Sequence, residues 1–121
     1  MTTELIIELP QFDAGQYEYC EFVMSGGDAR LTLHFSELPD FGIRFSRVRW
    51  HQFTALPNCN IEMIETAYFR LVELTPSVPL TAFIKQDTAP AKAYLELHHY
   101  RIFLDETGCH ELFAQSARRA T

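Results

Sequence analysis

Strand-forming runs separated by closely spaced turn signals, from Tyr17 to Phe53, are what most narrows the folds open to this chain. Residues 17–24 (YEYCEFVM) are aromatic and β-prone, and Ser25-Gly26-Gly27-Asp28 is a turn signal. Arg30-Leu31-Thr32-Leu33-His34-Phe35 alternates apolar and polar residues. Leu38-Pro39-Asp40-Phe41-Gly42 is a second turn, after which a strand is expected from Ile43 to about Phe53. Short connections between such runs make hairpins, so the segment reads as an antiparallel meander. Ahead of it, Glu4-Leu5-Ile6-Ile7-Glu8-Leu9 alternates too, with Leu5, Ile7 and Leu9 expected on one face and Glu4 and Glu8 on the other. Pro10 closes that strand, as suits an edge.

Two strands change phase. Ile43 and Phe45 share one parity, whereas Val48 and Trp50 share the other. A regular strand would then put one pair in the core and the other in water. A bulge near Ser46-Arg47 would reconcile them and bury Trp50. In the last third, Leu95 and Leu97 are odd while Tyr100, Ile102 and Leu104 are even, with the switch at His98-His99. A second bulge, or a sheet buried on both faces, accounts for that pattern.

Helical signals are few. Asn60 precedes Ile61-Glu62-Met63-Ile64-Glu65 as a helix cap, and a short helix is expected to about Thr66, followed by a strand to Leu74. The alternative carries the helix through Tyr68 and Leu71. Ser77-Val78-Pro79 opens a second helix through Gln86. Residues 92–104 and 109–116 form a hairpin across Asp105-Glu106-Thr107-Gly108. The expected fold class is α+β: a mostly antiparallel, curved sheet of about six or seven strands with one or two short helices. With 121 residues, 47% of them hydrophobic, and no linker or repeat, residues 1–121 read as a single domain.

Charge and cysteine content narrow the function classes. The formal net charge is −6, and residues 1–28 contain six carboxylates and no Lys or Arg. That balance disfavours nucleic acid and suits attraction to a basic partner or simple solubility. No uncharged run is long enough to span a bilayer, and Met1-Thr2-Thr3-Glu4 lacks the basic start of a signal peptide. Three cysteines without C-x-x-C spacing fit reduced thiols. A soluble, cytoplasmic protein is the expectation.

No sequence pattern of a catalytic centre is present: there is no G-x-S-x-G, glycine-rich phosphate loop, H-E-x-x-H or calcium loop. His98 and His99 point to opposite faces of a strand, and His110, expected opposite about Phe103, lies roughly 16 Å from His98 along the hairpin. No metal centre and no cofactor are therefore expected, and each cysteine reads as a small buried hydrophobe. A cysteine nucleophile meeting a distant histidine only in space stays open. Arg44-Phe45-Ser46-Arg47-Val48-Arg49-Trp50-His51-Gln52-Phe53 interleaves cations with aromatic rings, as binding of a phosphate-bearing or nucleotide-like ligand would require. The preferred reading has Val48, Trp50 and the phenylalanines Phe45 and Phe53 in the core and the arginines paired with the acidic N-terminal strands.

The segment from His99 to Leu112 (HYRIFLDETGCHEL), with Arg47-Val48-Arg49-Trp50-His51 and Tyr68-Phe69-Arg70-Leu71-Val72-Glu73-Leu74, resembles small bacterial immunity-type proteins encoded beside polymorphic or contact-dependent toxins. The resemblance implies a non-enzymatic protein that binds a toxin domain and blocks it, and it carries over no catalytic residues. An acidic chain suits a basic partner, so Glu4, Glu8, Glu18 and Glu21 are the candidate partner-binding residues. Arg47, Arg49 and Trp50 are the candidates for the alternative, a small-ligand module. The sequence leaves the oligomeric state open.

Overall fold

The computed structural model describes residues 2–87 and 96–120. Their strands form one antiparallel sheet: β1 (Thr2–Glu8), β2 (Tyr17–Ser25), β3 (Asp28–Phe35), β4 (Phe41–Ala55), β5 (Arg70–Thr75), β6 (His98–Leu104) and β7 (Gly108–Ala120). The order across the sheet is β1-β5-β6-β7-β4-β3-β2, so the chain's first two strands form its opposite edges. Two helices, α1 (Ile61–Ala67) and α2 (Val78–Gln86), flank β5 in sequence. This is the expected α+β class with a curved, open sheet. The meander β2-β3-β4 and the β6–β7 hairpin are in place, with β7 running on to Ala120. Of the expected hairpin strand over 92–104, residues 92–95 lie outside the described residues, and residues 96–97 are not strand, since β6 begins at His98.

Local chemistry explains the helix boundaries. Asn60 accepts the Met63 N–H at 2.8 Å and caps α1. Ser77 accepts the Leu80 N–H at 3.1 Å and caps α2, whose second residue, Pro79, has no N–H to satisfy. The ambiguity over residues 67–74 resolves with the helix ending at Ala67 and the strand beginning at Arg70, around Phe69 at φ 50°.

The inner face buries Leu31, Leu33, Ile43, Phe45, Leu71, Ile102, Leu104 and Leu112. Curvature closes this core from one side. Tyr17, at the head of β2, reaches Thr107 in the β6–β7 turn with a 2.8 Å hydroxyl contact and packs edge-on against Phe69. Phe12 bridges Phe35 and Phe69 at 4.6 and 5.0 Å. On the outer face, α1 covers Val72, Leu74, Phe103 and Cys109, while Phe83 of α2 packs on Phe113. The middle of the sheet is thus buried on both sides.

For the second phase switch, that double burial is the reading that holds, although Leu97 precedes β6 and Leu95 lies outside the described residues. β6 pairs with β7 in unbroken register from His98 to Leu104, and every residue from His99 onward is buried. No bulge is present at His98-His99. In β4 Arg47, within the expected bulge, adopts φ 51°, and the register against β7 slips two residues later, between Val48 and Trp50. Val48 packs on the inner core, but Trp50 is only half-buried, on the helix side. The expectation of a largely buried tryptophan is corrected because the bulge turns it out of the main core, and Phe53, also expected in the core, is 44% exposed while Phe45 is fully buried.

β1 holds a bulge that its sequence hides. Leu5 pairs with Val72 and Ile7 with Leu71, so Leu5 and Ile7 lie on opposite faces. Leu5 is 47% exposed. Glu4 pairs with Glu73 and Glu8 with Arg70; since residues 70 and 73 differ in parity, Glu4 and Glu8 also take opposite faces, contrary to the simple alternation.

Candidate functional site

The sequence-derived candidates are dispersed. Glu4 and Glu8 lie on β1, at one edge of the sheet, and Glu18 and Glu21 on β2, at the other. Glu18 occupies a bulge between Tyr17 and Tyr19, and Glu21 Oε1 lies 2.7 Å from His34 Nε2. Arg49 is committed to Asp87 beyond the end of α2 at 2.6 Å. The backbone N–H of Arg47 donates to Asp28 Oδ1 at 3.0 Å, beside the β2–β3 turn. Trp50 lines a cleft on the helix side whose lining holds neither Arg47 nor Arg49. The expected pairing of arginines with acidic strands holds for Arg44, whose Nη2 is 3.0 Å from Asp28 Oδ2.

Two polar clusters that the sequence did not reveal stand out instead. The first lies on the inner face, where His51 Nε2 and His110 Nδ1 are 3.0 Å apart and Cys20 Sγ is 3.9 Å from His110 Nε2. Phe22 stacks on His51 at 3.9 Å. Burial, with His51 adding to it, pushes the His110 pKa down to about 4, and burial pushes the Cys20 thiol up. Both groups are neutral at pH 7, so the pair holds no thiolate–imidazolium nucleophile in its resting state. Among the described residues no three His, Cys, Asp or Glu side chains converge as a metal site would require.

The second cluster lies on the helix side, where β6 and β7 carry His99, Arg101 and Glu111 between α1 and α2. Glu111 Oε1 accepts from His99 Nε2 at 2.8 Å and from Arg101 Nε and Nη2 at 3.2 and 3.1 Å. Arg101 Nη1 donates to Glu62 Oε1 and Thr66 Oγ1 at 3.0 and 3.2 Å. His99 Nδ1 is 2.7 Å from the Ser77 hydroxyl, which also caps α2. Burial would raise the Glu111 pKa; the bonds from His99 and Arg101 outweigh it and hold the carboxyl below its ordinary range. The order Ser77–His99–Glu111 has the chemistry of a hydrolase relay, but the serine hydroxyl is buried and occupied as a helix cap. The network's evident work is to fasten both helices to the sheet.

A cleft of about 330 Å³ opens beside this network, lined by Trp50, Gln52, Glu62, Leu74, Pro79, His99, Arg101 and Glu111. Trp50 stacks on Phe113 at 4.3 Å and meets His99 edge-on. A faint sequence signal existed: His99, Arg101 and Glu111 share odd parity with the large apolar residues Phe103 and Phe113. Charges on a parity otherwise filled by aromatics mark a second buried face carrying an internal ion network. Comparison with family models, with curated proteins and with solved structures finds no match.

Proposed function

We propose that this chain is a non-enzymatic protein-binding module that engages a basic partner along β2, and that its role is the immunity-type one its sequence resemblance implies: occlusion of a cognate toxin domain. The observation that carries the binding reading is the composition of this edge. Among the described residues β2 pairs on one side only, with β3, and exposes Tyr19, Val23 (57% exposed) and Met24 together with Glu18 and Glu21. An open edge offers main-chain hydrogen bonds, exposed apolar side chains supply anchors, and carboxylates steer a cation. The edge is also polarised. Glu21 lies opposite Thr32, whereas Val23 lies opposite Arg30, so a basic partner is steered to the Glu18–Glu21 end.

Native pull-down from the source cell with mass spectrometry tests the reading, using wild-type chain and the Glu18→Lys/Glu21→Lys variant. The expected result is a basic protein captured by the wild type, bound more slowly and with weaker salt dependence by the variant. Co-expression of the chain should relieve that partner's toxicity. Recovery of a small molecule with no protein partner would overturn the reading in favour of a ligand-binding module.

A further inference from the structure

The cleft between the helices is largely apolar, and its polar lining includes the acceptors of Glu62, Glu111 and Gln52. All three bonds to Glu111 fall on Oε1; among the described residues Oε2 accepts none, yet it is not sealed from solvent. Glu111 itself is only 6% exposed, so the solvent that Oε2 meets is that of the cleft it lines. Gln52, which lines the cleft, donates its amide N–H to Thr54 at 3.4 Å, so its carbonyl oxygen is not used in that bond. Glu62 is half-exposed at the rim, with one oxygen bonded to Arg101. The donors beneath are turned inward: Arg101 spends four of its five N–H groups on Glu111, Glu62 and Thr66. His99 spans Ser77 and Glu111. Two carboxylates, Glu62 and Glu111, stand with the one guanidinium of Arg101 in the lining, and Trp50, Leu74 and Pro79 add apolar surface.

We propose that this cleft binds a single guanidinium group, such as an arginine side chain. The fit follows from the number and placement of the acceptors. A guanidinium is planar, lies flat on an aromatic face, and forks several N–H donors toward separate oxygens. Glu111 Oε2 within the cleft and Glu62 and Gln52 toward its rim are such separate oxygens. An ammonium is a compact, strongly hydrated point charge that would lose water on entry without reaching all three. An anion would meet two carboxylates. The site is separated from β2 by β3 and does not depend on the partner reading above.

Trp50 is the chain's only tryptophan, so its fluorescence reports on the cleft directly. The test titrates the intact chain with N-acetyl-arginine methylamide, with the matching lysine derivative, and with inorganic phosphate, at constant ionic strength. A saturable Trp50 response to the arginine probe is expected, at least about tenfold tighter than to lysine, with no response to phosphate. Glu62→Gln, at a half-exposed rim position, should weaken the arginine response several-fold while leaving the unfolding midpoint within about a degree. Glu111→Gln should abolish the response, read in parallel with near-ultraviolet circular dichroism to verify folding; if it unfolds the chain, Glu62→Gln and Gln52→Ala carry the test. No saturable response, equal affinity for lysine and arginine, a saturable response to phosphate, or rim variants that bind arginine as the wild type does would each overturn the assignment.

Discussion

Replacing Arg101 by Met isolates the energetics of the ion network. Arg101 and Glu111 are each 6% exposed, and Met preserves much of the stem packing while removing the donors. Three things are lost at once: the two bonds to Glu111 Oε1, the bond to Glu62 and the bond to Thr66. Glu62 is half-exposed and returns to water at little cost. Glu111 cannot, and keeps only the His99 bond. Leaving one buried partner of an ion pair uncompensated costs about 3–5 kcal/mol, a large part of the roughly 5–15 kcal/mol that holds a domain folded. Denaturant unfolding at pH 7 should register that loss. The pH dependence identifies its source. In the wild type the folded-state pKa of Glu111 is depressed, so its stabilisation is present above the ordinary carboxylate range and is lost as pH falls through the folded value. In Arg101→Met, burial prevails and raises that pKa, so Glu111 protonates early and ceases to be a buried charge. The gap between wild type and variant should therefore narrow steadily as pH falls from 7 toward about 4. Adding Glu111→Leu should recover most of the loss at pH 7, because removing both charges leaves neither stranded. A gap below about 1 kcal/mol at pH 7, or one that does not change with pH, would refute the assignment of a buried, guanidinium-neutralised carboxylate.

On the inner face, His110 binds its proton far less readily folded than unfolded, so stability should be complete above about pH 6.5 and fall as pH drops toward about 4, by up to about 3 kcal/mol; nuclear magnetic resonance titration of its ring, and a flattened profile in His110→Phe, check this. Gly108→Ala should destabilise by about 3 kcal/mol or more, because the glycine adopts φ 144° and a Cβ there would stand 2.2 Å from the Thr54 carbonyl oxygen; thermal unfolding reads it directly. Trp50→Ala should cost about 2 kcal/mol, below the 3–5 kcal/mol of a fully buried ring, since Trp50 is half-buried against Phe113; a loss near 5 kcal/mol in denaturant unfolding would place the ring in the core after all.

What the sequence made legible was whatever depends on short range. Turn residues and caps act over a few positions, so the β2–β3 and β6–β7 turns, the Asn60 and Ser77 caps and the Tyr17–Phe53 meander are readable from composition and spacing. Parity fails where a bulge intervenes. The irregularity at Arg47 announces itself because two pairs of large apolar residues disagree, whereas the slip around Ile6 in β1 is silent: Leu5, Ile6 and Ile7 are all apolar, and alternation survives on paper. The silent slip matters more for function, since it is what sends Glu4 and Glu8 to different faces.

The ion network was hidden for a different reason: its members come from four elements, α1, β6, β7 and the start of α2, that only the fold brings within 3.2 Å of one another. Yet the same residues carry a constraint the sequence does state. Arg101 sits between Tyr100 and Ile102, and Glu111 is followed by Leu112, so each charge is flanked by a residue of the inner core. A strand with large apolar residues on the inner parity can place a charge on the other parity in water or under a helix. Residues paired directly across the hairpin, as Arg101 and Glu111 are, can neutralise each other under a helix without water. Under a helix they also need further donors and acceptors, which Thr66 and Glu62 on α1 and Ser77 at the start of α2 provide through Arg101 and His99. A charge pair that ties two helices to the middle of a sheet and still leaves one carboxylate oxygen facing an aromatic-walled cleft does more than a hydrophobic pair could do in its place. That unspent oxygen distinguishes the helix-side cleft from a packing solution alone.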